Sequence, residues 1–225
     1  MMKNIAIAID GPAAAGKSTI AKIVAERLGY IYIDTGAMYR SVTWYALSKG
    51  VDCQDEKAVC NLLPEISIVL QQDGKVYCNE EDVTKAIRTT EVAQNVSYVA
   101  SYKEVRLALV KLQRKMAESV SVVMDGRDIG TYVLPNAQVK IFQVASVEER
   151  AKRRYEENLQ KGIPCHLAQI EEELRKRDYI DSNRAFAPLT PAKDSILLDT
   201  SDLGIEEVAQ KVISIIQERI GGQNE

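Results

Sequence analysis

A single histidine, His166, occurs in the 225 residues, which excludes a mechanism built on several histidine metal ligands. A helix start or a surface position is expected for it. The four cysteines, Cys53, Cys60, Cys78 and Cys165, form no C-x-x-C pair, so neither a zinc site nor a disulfide framework is indicated. Long apolar runs are missing too: the opening MMKNIAIAID holds five consecutive apolar residues, Ile5 to Ile9, too few for a signal segment or a membrane span. A cytoplasmic protein without a membrane partner is expected. Nor is there an excess of positive charge, with 29 Lys and Arg against 32 Asp and Glu and a net charge of -3. No general basic field would draw the chain to nucleic acid, so affinity for anions must come from local clusters.

What is present starts with DGPAAAGKST, residues 10 to 19. Gly11, Gly16, Lys17 and Ser18 satisfy G-x-x-x-x-G-K-[ST], between an apolar run of strand length and the helical pattern IAKIVAERLG. Glycines in such a loop let backbone N–H groups curl around phosphate oxygens, the lysine adds charge, and the hydroxyl helps to hold magnesium. The following helix aims its positive N-terminal end at the same anion. Gly11, Pro12, Ala13, Ala14, Ala15, Gly16, Lys17, Ser18 and Thr19 are therefore the expected ATP phosphate site, with Ser18 the magnesium ligand.

Apolar runs recur at Ile5 to Ile9, Tyr30 to Ile33, Val120 to Met124, Val139 to Val144 and Ile196 to Leu198, with helical patterns between them. That alternation predicts an α/β fold, a five-stranded parallel sheet covered by helices on both faces, with its ligand at the C-terminal strand ends. Two strand-like runs around Asp73-Gly74 predict a small antiparallel insert. The stretch from Thr89 to Ser119 reads as helical throughout. Ser146 and Glu149 fit a capping box, with Gly162 and Pro164 as the stop. The expected organisation is one unit, with core segments 1–35, 104–146 and 163–225, an insert over 36–103 and a helical lid over 147–162.

Where the phosphate goes next depends on the remaining charged groups. No N-K-x-D motif of a GTPase occurs. At the second strand end, IDTGAMYR supplies Thr35, Tyr39 and Arg40; at the third, MDGRDIG supplies Asp125, Arg127 and Asp128. Guanidinium forks bind phosphate bidentately, so Arg40 and Arg127 at converging strand ends make an anion clamp. Arg177, Asp181 and Arg184 share one helix face, readable as a salt-bridge stripe or as a nucleoside-reading surface. Arg150, Arg153 and Arg154 sit among Glu148, Glu149, Glu156 and Glu157, so that helix is either self-neutralising or a lid that stabilises the transferring phosphoryl. These residues alone leave open a kinase for another small acceptor, such as shikimate, and an ATP-binding switch.

Taken together, IAIDGPAAAGKST, DTGAMYR, DGRDIG, VKIF followed by SVEERAKRR, and RDYIDSNRAFAPL resemble the bacterial cytidylate kinases, nucleoside monophosphate kinases of the P-loop class. The resemblance runs from Ile5 into the C-terminal helix. It implies a three-layer α/β/α P-loop kinase core, a monophosphate-binding lobe and a mobile lid. It also implies transfer of the ATP γ-phosphoryl to CMP or dCMP with magnesium. A monomer is expected, because all candidate binding groups lie within one chain. On the same basis Arg40 and Arg127 would hold the CMP phosphate near Thr35. Ser97, Arg106, Asp128 and Arg184 would read the cytosine. Arg177, Asp181 and Tyr39 would face the ribose, and Arg150, Arg153 and Arg154 would be lid arginines. Lys17, Arg127 and the lid arginines would be catalytic.

Overall fold

The computed structural model describes residues 4–160 and 162–221. Lys161 of the expected lid and the tail after Gly221 lie outside them. Five short apolar strands form the central sheet: β1 (Ala6–Asp10), β2 (Ile31–Asp34), β6 (Val122–Gly126), β7 (Val139–Val144) and β8 (Ile196–Asp199). Their order is β2-β6-β1-β7-β8 and every pairing is parallel. Register aligns Asp34 with Asp125 and Asp10 with Gly126, so the acidic C-terminal ends of three strands meet at one edge of the sheet.

Helices bury both sheet faces. On one side α1 (Lys17–Leu28) and α8 (Ile205–Gly221) pack Ile20, Val24, Val212 and Ile216 onto Ile7, Ile9, Val123 and Ile141. Each fully buried Ile or Val there contributes about 1.5–3 kcal/mol. On the other side Val110, from α5 (Lys103–Ala117), joins Ala8, Ile33, Val122 and Met124. The expected three-layer arrangement is therefore present.

Between β2 and β6 run α2 (Thr35–Ser48), α3 (Glu56–Asn61), a three-stranded antiparallel sheet and α4 (Thr90–Val99). The small sheet joins β3 (Ile68–Leu70) to β4 (Val76–Cys78) through a turn with Gly74 at φ +85°, as Asp73-Gly74 indicated. Its third strand, β5 (Glu81–Asp82), was not expected, because two charged residues carry no strand pattern.

One expectation fails. The stretch from Thr89 to Ser119 is two helices broken at Ala100–Tyr102, with Tyr102 in extended backbone. The break frees the Ala100 carbonyl, which accepts from Arg106 Nη1 at 2.9 Å and from Arg184 Nη1 at 3.5 Å. Guanidinium donors thus replace the helical hydrogen bond.

After β7, α6 (Val147–Gln160) starts at the expected capping box, with Ser146 Oγ accepting from the Glu149 N–H at 3.1 Å. Gly162 follows at φ +67°. His166 is exposed at the N-terminal boundary of α7 (Leu167–Asn183), where the chain reading put it.

Candidate active site

The phosphate loop follows β1 directly. Gly16 at φ +87° caps α1 from the left-handed region, and Ala14 sits there as well at φ +58°. A Cβ on Gly11 would lie 2.0 Å from the Gln143 carbonyl oxygen of β7, so no other residue fits. Lys17 is buried and donates through Nζ to the Pro12 carbonyl at 2.6 Å. Burial, helped by the nearby Arg127, pushes its pKa well below the usual lysine value against the pull of Asp125 and Asp10. An incoming anion would favour the charged form.

Ser18 at the start of α1 donates to Asp125 Oδ2 at 2.9 Å, and Tyr32 donates to Asp125 Oδ1 at 2.7 Å. Thr35 donates to the Asp125 backbone carbonyl at 2.6 Å. Burial and the adjacent Asp34 raise the Asp125 pKa. The Ser18 hydroxyl and the Asp125 carboxylate are two hard oxygen donors beside the loop lysine, a donor set whose chemistry would suit magnesium. Among the described residues no group of three or more His, Cys, Asp or Glu could hold a metal unaided.

Past the loop, the carboxylate of Asp34 gathers two arginines. Arg40 Nη2 approaches it at 3.1 and 3.2 Å, and Arg88, from the turn before α4, reaches Oδ2 at 3.3 Å. Burial alone would raise the Asp34 pKa, but Arg40, Arg88 and the Ala37 N–H hold it below the usual carboxylate range. Opposite them Arg127 donates through Nε to Asp181 Oδ2 at 2.9 Å. Asp181 also stays low against its burial, held by Arg127, Arg177 and Arg184. Arg177 forms no ion pair or hydrogen bond among the described residues. Burial and the cations Arg127, Arg40 and Arg154, only partly offset by Asp181, push its pKa down to about 10.

Deepest lies a second cluster. Asp128 is buried and pairs with both Arg106 and Arg184, the latter at 3.5 Å. The Arg106 guanidinium stacks over the Tyr39 ring, 5.1 Å from its centroid, a cation–π contact. The Tyr39 hydroxyl and the Ser97 hydroxyl are buried and have no hydrogen-bond partner among the described residues. Burial raises the Tyr39 pKa to about 12. The Asp10 carboxylate ties this cluster to the loop by accepting from the N–H groups of Ile129 and Gly130 at 2.8 and 2.7 Å. Those two residues open a single π-helical turn, Ile129–Val133.

One cavity of about 720 Å³ joins the phosphate loop, the Asp34 and Asp181 arginines, Ser97 and the Asp128 cluster. That volume lies within the roughly 300–1,000 Å³ typical of a small-molecule pocket. Arg153 and Arg154 of α6 line it as well. Arg150 does not: it is buried and donates to the carbonyls of Ala145 and Ala13 and to Asp178 at 2.6 Å. Unlike Arg153 and Arg154, Arg150 therefore faces the phosphate loop and not the cavity. It braces the phosphate loop from behind. Arg153 donates to the Thr200 carbonyl at 2.6 Å and pairs with Glu149, while Arg154 pairs with Glu157 at 3.7 Å.

A family model described as cytidylate kinase matches residues 7–218. The chain belongs to the cytidylate kinase family. It is 56% identical over 225 residues to a cytidylate kinase of Anoxybacillus flavithermus, covering 99% of this chain and 100% of that relative. To a cytidylate kinase of Bacillus subtilis it is 53% identical, over 97% of this chain and 99% of the relative. A gluconokinase from Sinorhizobium meliloti superposes with TM-score 0.52 at 12% identity, covering 98% of each chain, a likeness of fold alone.

Sequence reasoning placed Arg40, Arg127, Asp128, Arg177, Asp181 and Arg184 around one site, and all of them line this cavity with Thr35, Tyr39, Ser97 and Arg106. It did not single out Asp34, Arg88 or the role of Asp125. A carboxylate ending a strand next to an arginine-rich segment was the available signal.

Proposed function

We infer that the protein transfers the γ-phosphoryl group of ATP directly to the phosphate of CMP and of dCMP, giving ADP with CDP or dCDP. Membership of the cytidylate kinase family supports the reaction. The observation that carries the reading to residues is the continuous cavity with a phosphate loop at one end and the buried Asp128–Arg106–Arg184 cluster at the other.

The acceptor oxygen is already ionised, so the reaction needs no general base, in keeping with an exposed His166 as the only histidine. Catalysis then rests on in-line positioning and charge neutralisation. Loop N–H groups and Lys17 would hold the donor phosphates. Arg40, Arg88 and Arg127 would hold the acceptor phosphate, kept in place by Asp34 and Asp181. Arg177, close to both Arg127 and Asp181, would reach toward the transferring group and the ribose. Arg153 and Arg154 would close over the transferring phosphoryl and exclude water. Ser18 and Asp125 would hold magnesium, which would supply positive charge beside the donor phosphates.

Cytosine offers an exocyclic amine as donor and N3 and O2 as acceptors. Asp128 retains acceptor capacity beyond its two arginines, and Ser97 and Tyr39 bring unsatisfied hydroxyls. Uracil reverses the pattern at N3 and C4, which leaves buried groups unpaired, and such mismatches discriminate by on the order of 10⁴. All these groups come from one chain, which supports a monomer. The four free cysteines favour a reducing, cytoplasmic setting.

The test is ADP release with magnesium and ATP in parallel reactions holding CMP, dCMP, UMP, AMP, GMP or no acceptor. Turnover restricted to the cytosine nucleotides is expected. Equal rates in every reaction would reduce the site to an ATP hydrolase.

A further inference from the structure

β7 reads Val-Lys-Ile-Phe-Gln-Val and is buried along nearly its whole length. Gln143 stands in it with 1% exposure, among the largest fully buried side chains of the protein. An amide in such a place is costly unless bonded, and only half of this one is. Nε2 donates to the Ala15 carbonyl at 2.5 Å, whereas Oε1 is buried with no partner among the described residues. The same residue packs its backbone carbonyl against Gly11. Gln143 therefore touches the phosphate loop at both ends, at its first glycine and next to its last, and it lines the cavity.

A loop that binds phosphate must point N–H groups inward, so its carbonyls have to turn outward and find donors elsewhere. Ala15 precedes Gly16, whose left-handed backbone starts α1. We propose that Gln143 is a positioning residue for the phosphate loop, holding the Ala15 carbonyl turned away so that the neighbouring N–H groups face the donor phosphates. This deepens the kinase reading and rests on it for the identity of the donor. The amide orientation has only one satisfactory choice, because turning it over would set two oxygens against each other. The unpartnered Oε1 is then the cost of keeping Nε2 on the loop, and a buried orphan acceptor retained at a functional loop is what a positioning role would leave.

The experiment is direct titration of Gln143→Leu with magnesium and a non-hydrolysable ATP analogue, alongside KM values for ATP and CMP. Leucine keeps much of the volume and removes the donor. The analogue should bind about five- to tenfold more weakly, the loss of one buried hydrogen bond to a loop carbonyl. The KM for ATP should rise with it, while the KM for CMP and the melting temperature of the ligand-free protein stay near wild type. Wild-type affinity for the analogue, or equal losses for ATP and CMP, overturns the proposal. Should Gln143→Leu not fold, Gln143→Glu decides: a carboxylic acid can donate to Ala15 only when protonated. Its affinity relative to wild type should climb as pH falls from about 8 to about 6, because burial raises a carboxyl pKa. A flat ratio overturns the proposal. Analogue binding needs no acceptor, so failure of the CMP reading shows separately in the wild-type acceptor assay.

Discussion

Ser18 donates its hydroxyl to Asp125 at 2.9 Å although 107 residues separate them in the chain. The contact joins the first turn of α1 to the end of β6 and brings together the two oxygen groups that we propose as magnesium ligands beside Lys17. Asp125→Asn keeps the shape and removes the charge. It should lower kcat about a hundredfold and shift the magnesium dependence of kcat to higher concentration, while CMP binding measured without ATP is retained. Unchanged magnesium dependence would remove Asp125 from the site.

Arg88 shares Asp34 with Arg40 but is half exposed, with 48% of its side chain accessible. It lies in the cavity wall, and we propose it as a third arm of the acceptor clamp. Arg88→Ala should raise the KM for CMP about five- to tenfold and leave the KM for ATP alone, since a charge-assisted phosphate contact is lost at a partly solvated site. Equal effects on both substrates would assign Arg88 to folding of the insert.

This residue also marks where sequence reading ended. Arg88 and Asp34 lie 54 positions apart, and only the fold of the insert brings them together. The parallel sheet was legible because buried strands read as unbroken apolar runs, and the phosphate loop because its spacing encodes a backbone shape. The break at Ala100 was masked by the three- and four-residue apolar repeat on either side, although Val96 to Tyr102 (VSYVASY) is poor in strong helix formers. The carbonyl contacts with Arg106 and Arg184 leave no local pattern. The orientation of Arg150 was hidden for a related reason: spacing on α6 defines a face, but the neighbours of that face, Ala13 and Asp178, come from elsewhere in the chain. Gln143 looked like one more residue in an apolar strand.

Asp128 neutralises two buried guanidinium groups. Asp128→Ala should therefore lose about 3–5 kcal/mol of stability, because both arginines are left uncompensated. Asp128→Asn keeps an acceptor, and a milder loss in thermal melts is expected together with a reduced ratio of CMP to UMP turnover. If that ratio is unchanged in the folded variant, base selection belongs to Ser97 and Tyr39.

Burial pushes the Asp10 pKa from 3.8 to about 7 despite the N–H groups of Ile129 and Gly130. A carboxyl that binds its proton more tightly when folded adds stability that is complete below pH 3.8 and is lost as the pH rises through about 7. Asp10→Asn removes this dependence. The melting temperature of the variant minus that of wild type should increase between about pH 5 and about pH 8. A constant difference would mean that Asp10 ionises in the fold as easily as in the unfolded chain.

Arg177 presents the opposite balance. It lies among Arg127, Arg40 and Arg154 with Asp181 as its main counter-charge, and its Nε is buried without a partner among the described residues. Burial and neighbouring cations disfavour the charged form in the ligand-free protein; under the proposed function an arriving phosphate would relieve that repulsion, a trade of stability for activity. Arg177→Met should raise the melting temperature of the ligand-free protein while lowering kcat/KM for CMP. Adding CMP should then stabilise wild type more than the variant, because only wild type gains the relief of charge repulsion. A variant less stable than wild type without ligand would show that Asp181 already satisfies Arg177, and the argument from unpaired charge would fail.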